Sequence, residues 1–170
     1  MTCCFIGHRK IAITEALTFQ LQQLLLELLT AGVTTFLFGD HSAFNTLCYD
    51  TVTQLKNMYP QIKRVHIRTN YQKANSYTIQ FLCAGYEDSI YPFHSPVLGK
   101  AAYIARNRAM VQQSDFCIFY YNSTYCPAQC NEAICNSERN QSKSGTALAF
   151  SYAKSQHKTI FNLYSATQTG

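Results

Sequence analysis

Charged residues are scarce in this sequence, and tryptophan is missing altogether. Lys, Arg, Asp and Glu make up 14% of the 170 residues, whereas hydrophobic residues make up 47%. A chain with so little charge and so many apolar side chains can bury a core, which argues against wholesale disorder. There is also no internal repeat and no low-complexity tract. Because the length is typical of one domain, we expect residues 1–170 to form a single domain.

A long hydrophobic run is also missing. The most apolar stretch, Leu21 to Leu29, is interrupted by Gln22, Gln23 and Glu27 and is too short to cross a bilayer. The first ten residues lack a basic segment followed by a long apolar one, so they do not resemble a secretory signal. We therefore expect a cytoplasmic protein without a membrane partner, whose eight cysteines are reduced thiols.

Strand-like and helix-like segments alternate along the chain. Apolar runs typical of strands lie at 2–6, 33–38, 64–68, 116–121 and 159–163, with a weaker one near 89–91. Helices are predicted at 14–30, 43–58, 98–113 and 146–155. This alternation predicts right-handed βαβ units. The sequence therefore predicts an α/β fold with a mainly parallel sheet of about five strands, covered by helices on both faces.

Small and polar residues follow the predicted strands, at the edge where sheets of this kind bind ligands. The segments are Gly7-His8-Arg9, Gly39-Asp40-His41-Ser42 and Ser144-Gly145-Thr146, the last of which opens the final helix. Glycine lets backbone N–H groups approach a phosphate, and a helix N-terminus favours an anion. Each turn alone is ordinary, but three of them at successive strand ends predict an anion site.

The role of several further residues is open. Arg106 and Asn107 lie either on a solvated helix face or along the sheet edge, where they would reach the ligand. His8 is either a turn residue satisfied by the backbone or a donor to a ligand phosphate or ribose, and we favour the donor. His41 is a weaker candidate beside Asp40.

Four segments carry a resemblance to a known family. They read TCCFIGHR at 2–9, GD at 39–40 with FN at 44–45, RN at 106–107 with Met110 and SD at 114–115, and KSGT at 143–146 with YA at 152–153 and IFNL at 160–163. In order and spacing they resemble the YpsA-like branch of the SLOG superfamily. The resemblance implies a Rossmann-like three-layer sandwich related to the nucleotide-binding domains of LOG and DprA proteins. It also implies a pocket for nucleotides or nucleotide-derived ligands.

The sequence departs from related enzymes at two positions. The LOG-type phosphoribohydrolases of this superfamily carry a catalytic Glu three residues after the Thr of the glycine-threonine turn, where this chain has Ala149. No carboxylate follows Thr146, so we expect no such hydrolysis. Asn45 stands where the family has an acid, so it can hydrogen-bond a ribose hydroxyl but cannot act as a base.

The metal prediction concerns three cysteines. Cys126, Cys130 and Cys135 have the spacing C-x3-C-x4-C and could converge on zinc with Cys117 or His157. A structural zinc site usually has two tight CxxC pairs, which are absent here. We therefore predict no metal and no cofactor.

Three functions remain open at this point, and the first is favoured. It is non-catalytic binding of a nucleotide-derived, phosphate-bearing ligand, by a protein that senses or sequesters it. The second is an N-glycosidase that uses Asp40, Asp115 or Glu132. The third is a single-stranded nucleic-acid binder that stacks bases on tyrosines, although the net charge of +5 falls short of a dedicated duplex-DNA binder. We also expect a homo-oligomer.

The predicted ligand-binding residues share a position at a strand exit or on the helix that faces it. They are Gly7, His8, Arg9, Gly39, Asp40, Asn45, Arg106, Asn107, Ser144, Gly145 and Thr146.

Overall fold

The computed structural model describes residues 1–40, 42–70, 80, 83–125 and 144–165. In this part of the chain strands and helices alternate as the sequence predicts. The elements are β1 (Thr2–Gly7), α1 (Glu15–Thr30), β2 (Thr35–Phe38), α2 (Ala43–Lys56), β3 (Lys63–Ile67), β4 (Asp88–Ile90), α3 (Gly99–Gln112), β5 (Phe116–Tyr120), α4 (Gly145–Ser155) and β6 (Thr159–Asn162). Outside the described residues lie His41, Glu132, Lys143 and the cysteines at 126, 130 and 135.

The six strands form one parallel sheet in the order β4-β3-β2-β1-β5-β6. The chain first builds outward from β1 to β4, then crosses back to place β5 on the other side of β1. The connections that leave β1 and β5 therefore diverge, which opens a crevice at their carboxyl ends. The predicted Rossmann-like α/β fold is confirmed, with six strands instead of about five. The additional strand, β4, has only three residues.

Two apolar clusters lie on opposite faces of the sheet because side chains alternate along β1. Cys3 and Phe5 face the first cluster, which contains the buried sides of α1 and α2. Cys4 and Ile6 face the second, which contains residues of α3 and α4. The fold is thus a three-layer sandwich, helix–sheet–helix.

Helix α1 shows how local sequence places these layers. Thr14 caps it by accepting a hydrogen bond from the Leu17 backbone N–H at 3.1 Å. Leucines at helical spacing then form the buried stripe: Leu17, Leu21, Leu25 and Leu28. No helix among the described residues is long and apolar enough to span a membrane.

Candidate functional site

A cavity of about 570 Å³ opens at the carboxyl edge of the sheet. Its walls come from the segments that follow β1 and β2, from α3 and from the N-terminal turn of α4. Of the predicted binding residues, ten line it: Gly7, His8, Arg9, Asp40, Asn45, Arg106, Asn107, Ser144, Gly145 and Thr146. The eleventh, Gly39, packs against the guanidinium of Arg106. The fold therefore gathers these residues around one space, and their role in ligand binding stays a prediction.

Gly7 allows α2 to approach β1 very closely. A Cβ atom on Gly7 would lie 2.4 Å from Cδ1 and 2.8 Å from Cβ of Phe44, a fully buried side chain in the first turn of α2. Real Cβ contacts are never this short, so only glycine fits here. Gly7 therefore has a packing role in addition to its place in the cavity wall.

His8 connects the first strand exit to the segment that follows β5. Its ring is 2% exposed and stacks on Tyr125, with 3.8 Å between the ring centroids. Nε2 lies 3.0 Å from the backbone N–H of Asn122 and 3.2 Å from the Asn122 carbonyl oxygen. Burial lowers the pKa of His8, although the contact with the Asn122 backbone acts in the opposite direction. Burial therefore favours the neutral ring, and an unprotonated Nε2 can accept the Asn122 N–H.

The His8 environment predicts a pH-dependent stability. An unfolded His8 takes up a proton below its ordinary pKa of 6.5, whereas the buried ring resists protonation. Acid therefore favours the unfolded chain, so the free energy of unfolding should fall as the pH drops from 7 through 6. Urea unfolding at pH 7.5, 6.5 and 5.5 tests this. His8→Gln should show a shallower fall, and equal slopes for both proteins would rule out His8 as the source.

Arg106 is a buried cation held from two sides. The residue is 7% exposed, and its Nη1 donates to Oδ2 of Asp40 at 2.6 Å. Its Nε and Nη2 donate to Oδ1 of Asn107 at 3.3 and 3.0 Å. A Cβ on Gly39 would lie 2.8 Å from the Arg106 Cζ, so glycine at position 39 makes room for the guanidinium. Of the two interpretations of Arg106 and Asn107, the structure supports the one in which they face the cavity.

Asp40 is engaged by its neighbours within the protein. It also accepts the Thr69 hydroxyl at 3.2 Å, and Nε2 of His66 lies 3.5 Å from its Oδ1. Burial alone would raise the pKa of Asp40, but contacts with His66, Arg106 and Thr69 outweigh burial and lower this pKa. Asp40 is thus an ionised carboxylate that positions Arg106 and neutralises its charge.

Asn45 has one polar atom without a partner. Its Nδ2 donates to the Asp40 carbonyl at 3.0 Å, which fixes the orientation of the side-chain amide. Its Oδ1 is buried and has no hydrogen-bond partner among the described residues. A buried acceptor of this kind is destabilising unless a donor reaches it. A ligand hydroxyl is the sort of donor that the predicted role of Asn45 requires.

The N-terminal turn of α4 offers backbone donors to the cavity. Ser144 caps the helix by accepting the Ala147 N–H at 3.1 Å. The N–H groups of Gly145 and Thr146 make no hydrogen bond within the part of the chain that the structure describes. Among the described residues the space beside Gly145 is open, since a Cβ there would approach none of their atoms closer than 4.0 Å. This turn can accept an anion.

The charge of the lining is strongly one-sided. Arg9, Lys10 and Lys100 are exposed, line the cavity and form no ion pair in the described ranges. The one acidic side chain in the described lining, Asp40, is paired with Arg106. The cavity wall thus carries three positive charges that no carboxylate of the described lining balances.

Sequence reasoning missed several residues of this site. They are Lys10, Lys100, Tyr103, Ile104, Tyr125 and Leu148, together with His66 and Thr69 behind Asp40. Lys10 adjoins a segment that was singled out, so a wider window around that strand exit would have found it. The α3 residues give no such signal, because their place depends on how α3 crosses the sheet.

Of the three carboxylates named for the N-glycosidase alternative, Asp40 is the one that lines the cavity among the described residues. Asp115 lies just before β5, at the amino edge of the sheet, where its Oδ2 accepts the Thr2 N–H at 2.8 Å. Glu132 is outside the described residues. Ala149 is 2% exposed and packs in the second apolar cluster. Among the described residues no three His, Cys, Asp or Glu side chains lie close enough to hold a metal ion.

Comparisons with known proteins agree with the fold. Residues 6–152 match the model of one family, described as the YspA SLOG family (YpsA). The structure is similar to DNA processing protein A (DprA) from Streptococcus pneumoniae, with a TM-score of 0.58 and 15% identity over 99% of this chain and 52% of that protein.

A second solved structure gives the same result. DNA processing protein A from Helicobacter pylori, whose structure was described for its single-stranded DNA binding mode, has a TM-score of 0.57 and 16% identity over 99% of this chain and 67% of that protein. The present chain thus spans about half the length of the Streptococcus pneumoniae protein. No curated protein matches it.

Proposed function

This chain belongs to the YspA SLOG family, and we propose that its cavity binds a nucleotide or nucleotide-derived ligand that carries phosphate. The observation that carries the proposal is the lining: within the described part of the chain, three cations without an ion pair and two helix N–H groups without a hydrogen bond belong to residues that line one cavity. Such a wall attracts an anion, and phosphate is the anion that helix N-termini and arginines bind most readily. Family membership and the shared fold support nucleotide or nucleic-acid binding at this general level.

The two ends of the site suit different parts of such a ligand. The phosphate would lie at the N-terminal turn of α4, near the Gly145 and Thr146 N–H groups, with Arg9 and Lys100 beside it. A ribose hydroxyl would lie beside Asn45, and it would donate to Oδ1 once the packing around this buried atom opens. This division follows from donor and acceptor chemistry, since phosphate oxygens accept hydrogen bonds and a carboxamide oxygen needs a donor.

We propose further that the ligand leaves the site unchanged, so that the protein acts as a sensor or sequesters the ligand. Bond cleavage at a ribose needs a carboxylate that is free to stabilise positive charge or activate water. The Asp40 carboxylate is already paired with Arg106. The buried Ala149 stands where the LOG-type phosphoribohydrolases carry their catalytic Glu.

The first test uses ADP as the probe. Isothermal titration at low salt should show 1:1 binding to the purified protein, and chromatography should recover the ADP intact. Arg9→Gln, Lys10→Gln and Lys100→Gln should each weaken binding by up to about fivefold, and the triple variant by about 10- to 100-fold. Lys63→Gln is the matched control, because Lys63 is exposed at the start of β3, at the opposite edge of the sheet.

Each rival function gives a distinct result in the same experiment. Release of adenine would indicate an N-glycosidase. Tighter binding of an oligothymidylate than of ADP, collapsing with added salt, would indicate a single-stranded nucleic-acid binder. Equal ADP affinity in the wild type and the triple variant would remove the basis of the proposal.

A further inference from the structure

The cavity has an apolar wall in addition to its charged one. Tyr103 and Ile104 from α3 and Leu148 from α4 line it. Tyr103 stands three residues after Lys100 and three before Arg106, so these three side chains share one face of α3. Phosphate and ribose alone present nothing apolar to this wall. A ligand that matches this apolar wall carries a flat or apolar group next to its charged group.

Tyr103 is the prominent feature of this wall. It is 45% exposed, in a molecule whose other cavity-facing aromatic residues are buried or half-buried in the described part of the chain. The Arg106 Cζ lies 5.5 Å from the centre of its ring. Because Asp40 holds Arg106 in place, this contact also holds the ring, with the guanidinium over one of its faces.

Tyr125 is the other tyrosine of the lining, and it is a poorer platform. The His8 ring already stacks on it at 3.8 Å, with 12° between the ring planes. Tyr125 is also half-buried. Each ring has a neighbour on one face, but Tyr103 is 45% exposed and therefore leaves more of its surface for a ligand.

Building on the proposed function, we propose that Tyr103 is a nucleobase subsite: the aromatic base of the ligand stacks on its ring at the mouth of the cavity, while the phosphate lies towards Arg9 and the α4 N-terminus. Stacking accepts any flat aromatic ring, since every base has a π-face. The subsite therefore selects nucleotides as a class over sugar phosphates and over phosphates with an aliphatic group.

Three diphosphates separate the contribution of the base from those of the diphosphate and of an aliphatic group, because they differ in the group that is attached to the diphosphate. They are ADP, inorganic pyrophosphate and isopentenyl diphosphate, titrated into the wild type, Tyr103→Ala and Tyr103→Phe. Tyr103→Ala should weaken ADP about 5- to 100-fold and leave pyrophosphate unchanged. Tyr103→Phe, which keeps the ring, should stay within about twofold of the wild type. Phe19→Ala removes a 64% exposed aromatic residue on α1, away from the cavity lining, and should change nothing.

Each contrary result has a separate meaning. If Tyr103→Ala weakens ADP and pyrophosphate by the same factor, the ring acts only by holding Arg106, and the subsite is wrong while phosphate binding stands. Equal ADP affinity in the wild type and Tyr103→Ala would also overturn it. So would isopentenyl diphosphate binding as tightly as ADP, since the wall would then be merely apolar. If the wild type binds none of the three, the proposed function fails together with the subsite.

Discussion

Replacing Gly7 by alanine is expected to lower the free energy of unfolding by about 2 to 3 kcal/mol, the upper part of the range found for overpacked cores. The new methyl group would overlap Phe44 at 2.4 to 2.8 Å, including the Cβ of Phe44, which cannot move without its helix. Helix α2 would have to shift away from β1. The backbone of Gly7 is not in the left-handed region, so alanine without this clash would stabilise the chain by restricting its unfolded state.

Gly145→Ala is the matched control for this prediction. Among the described residues, the nearest atom to a Cβ at position 145 is Asn107 Nδ2 at 4.0 Å, so the added methyl group meets none of them in close contact. Alanine is also the better helix former at the start of α4. Urea unfolding followed by far-ultraviolet circular dichroism suits both variants, because the protein lacks the tryptophan needed for strong fluorescence. If the two variants unfold at the same urea concentration, the close approach of α2 to β1 is wrong.

Asp40→Asn is the second substitution with a large expected effect. It leaves the guanidinium of Arg106, 7% exposed, without a carboxylate. Breaking a fully buried ion pair costs about 3 to 5 kcal/mol, but the Asp40 side chain is 36% exposed. Solvent therefore screens part of the interaction, and a loss of about 2 kcal/mol at pH 7 is the expected result. Unfolding of Asp40→Asn, Arg106→Met and the double variant measures it. In the Arg106→Met background, Asp40→Asn should cost much less, and additive losses would show that the two groups do not interact.

The lowered pKa of Asp40 adds a pH signature to this prediction. A carboxyl whose pKa is lower in the folded protein stabilises it above the ordinary pKa of 3.8, and this contribution disappears as the pH falls through the folded value. The difference between the wild type and Asp40→Asn should therefore be constant from pH 7 to 5 and shrink below pH 4. A difference that grows in acid would contradict the assignment.

The strand and helix pattern was predictable because its signals are local. Leucines at helical spacing and an N-cap define α1, and apolar runs bounded by glycine define β1 and β2. Strand β4 was only suggested, since its three residues, Asp88–Ile90, form no apolar run. The strand forms because its backbone pairs with that of β3, although its own sequence has only a weak strand pattern.

The candidate site was predictable to the extent that it follows strand ends. Residues after β1 and β2 and at the start of α4 share one edge in any parallel sheet, so predicting where the strands end also identified these residues. The pairing of Asp40 with Arg106 was not predictable in this way, because 66 residues separate them. The sequence predicts that Asp40 contacts the ligand. The structure adds that its carboxylate, which lines the cavity, is paired with Arg106.

By itself, the sequence determined the elements, their parallel arrangement and the edge where small and polar residues collect, because these depend on periodicity and on neighbours along the chain. Only the tertiary structure decided which charges remain without a partner among the described residues, why Gly7 and Gly39 must be glycine, and that Tyr103 lines the cavity while it stays exposed. Those properties arise where α2 and α3 pack against β1 and β2, and the distances between packed elements are set by contacts that no local pattern records.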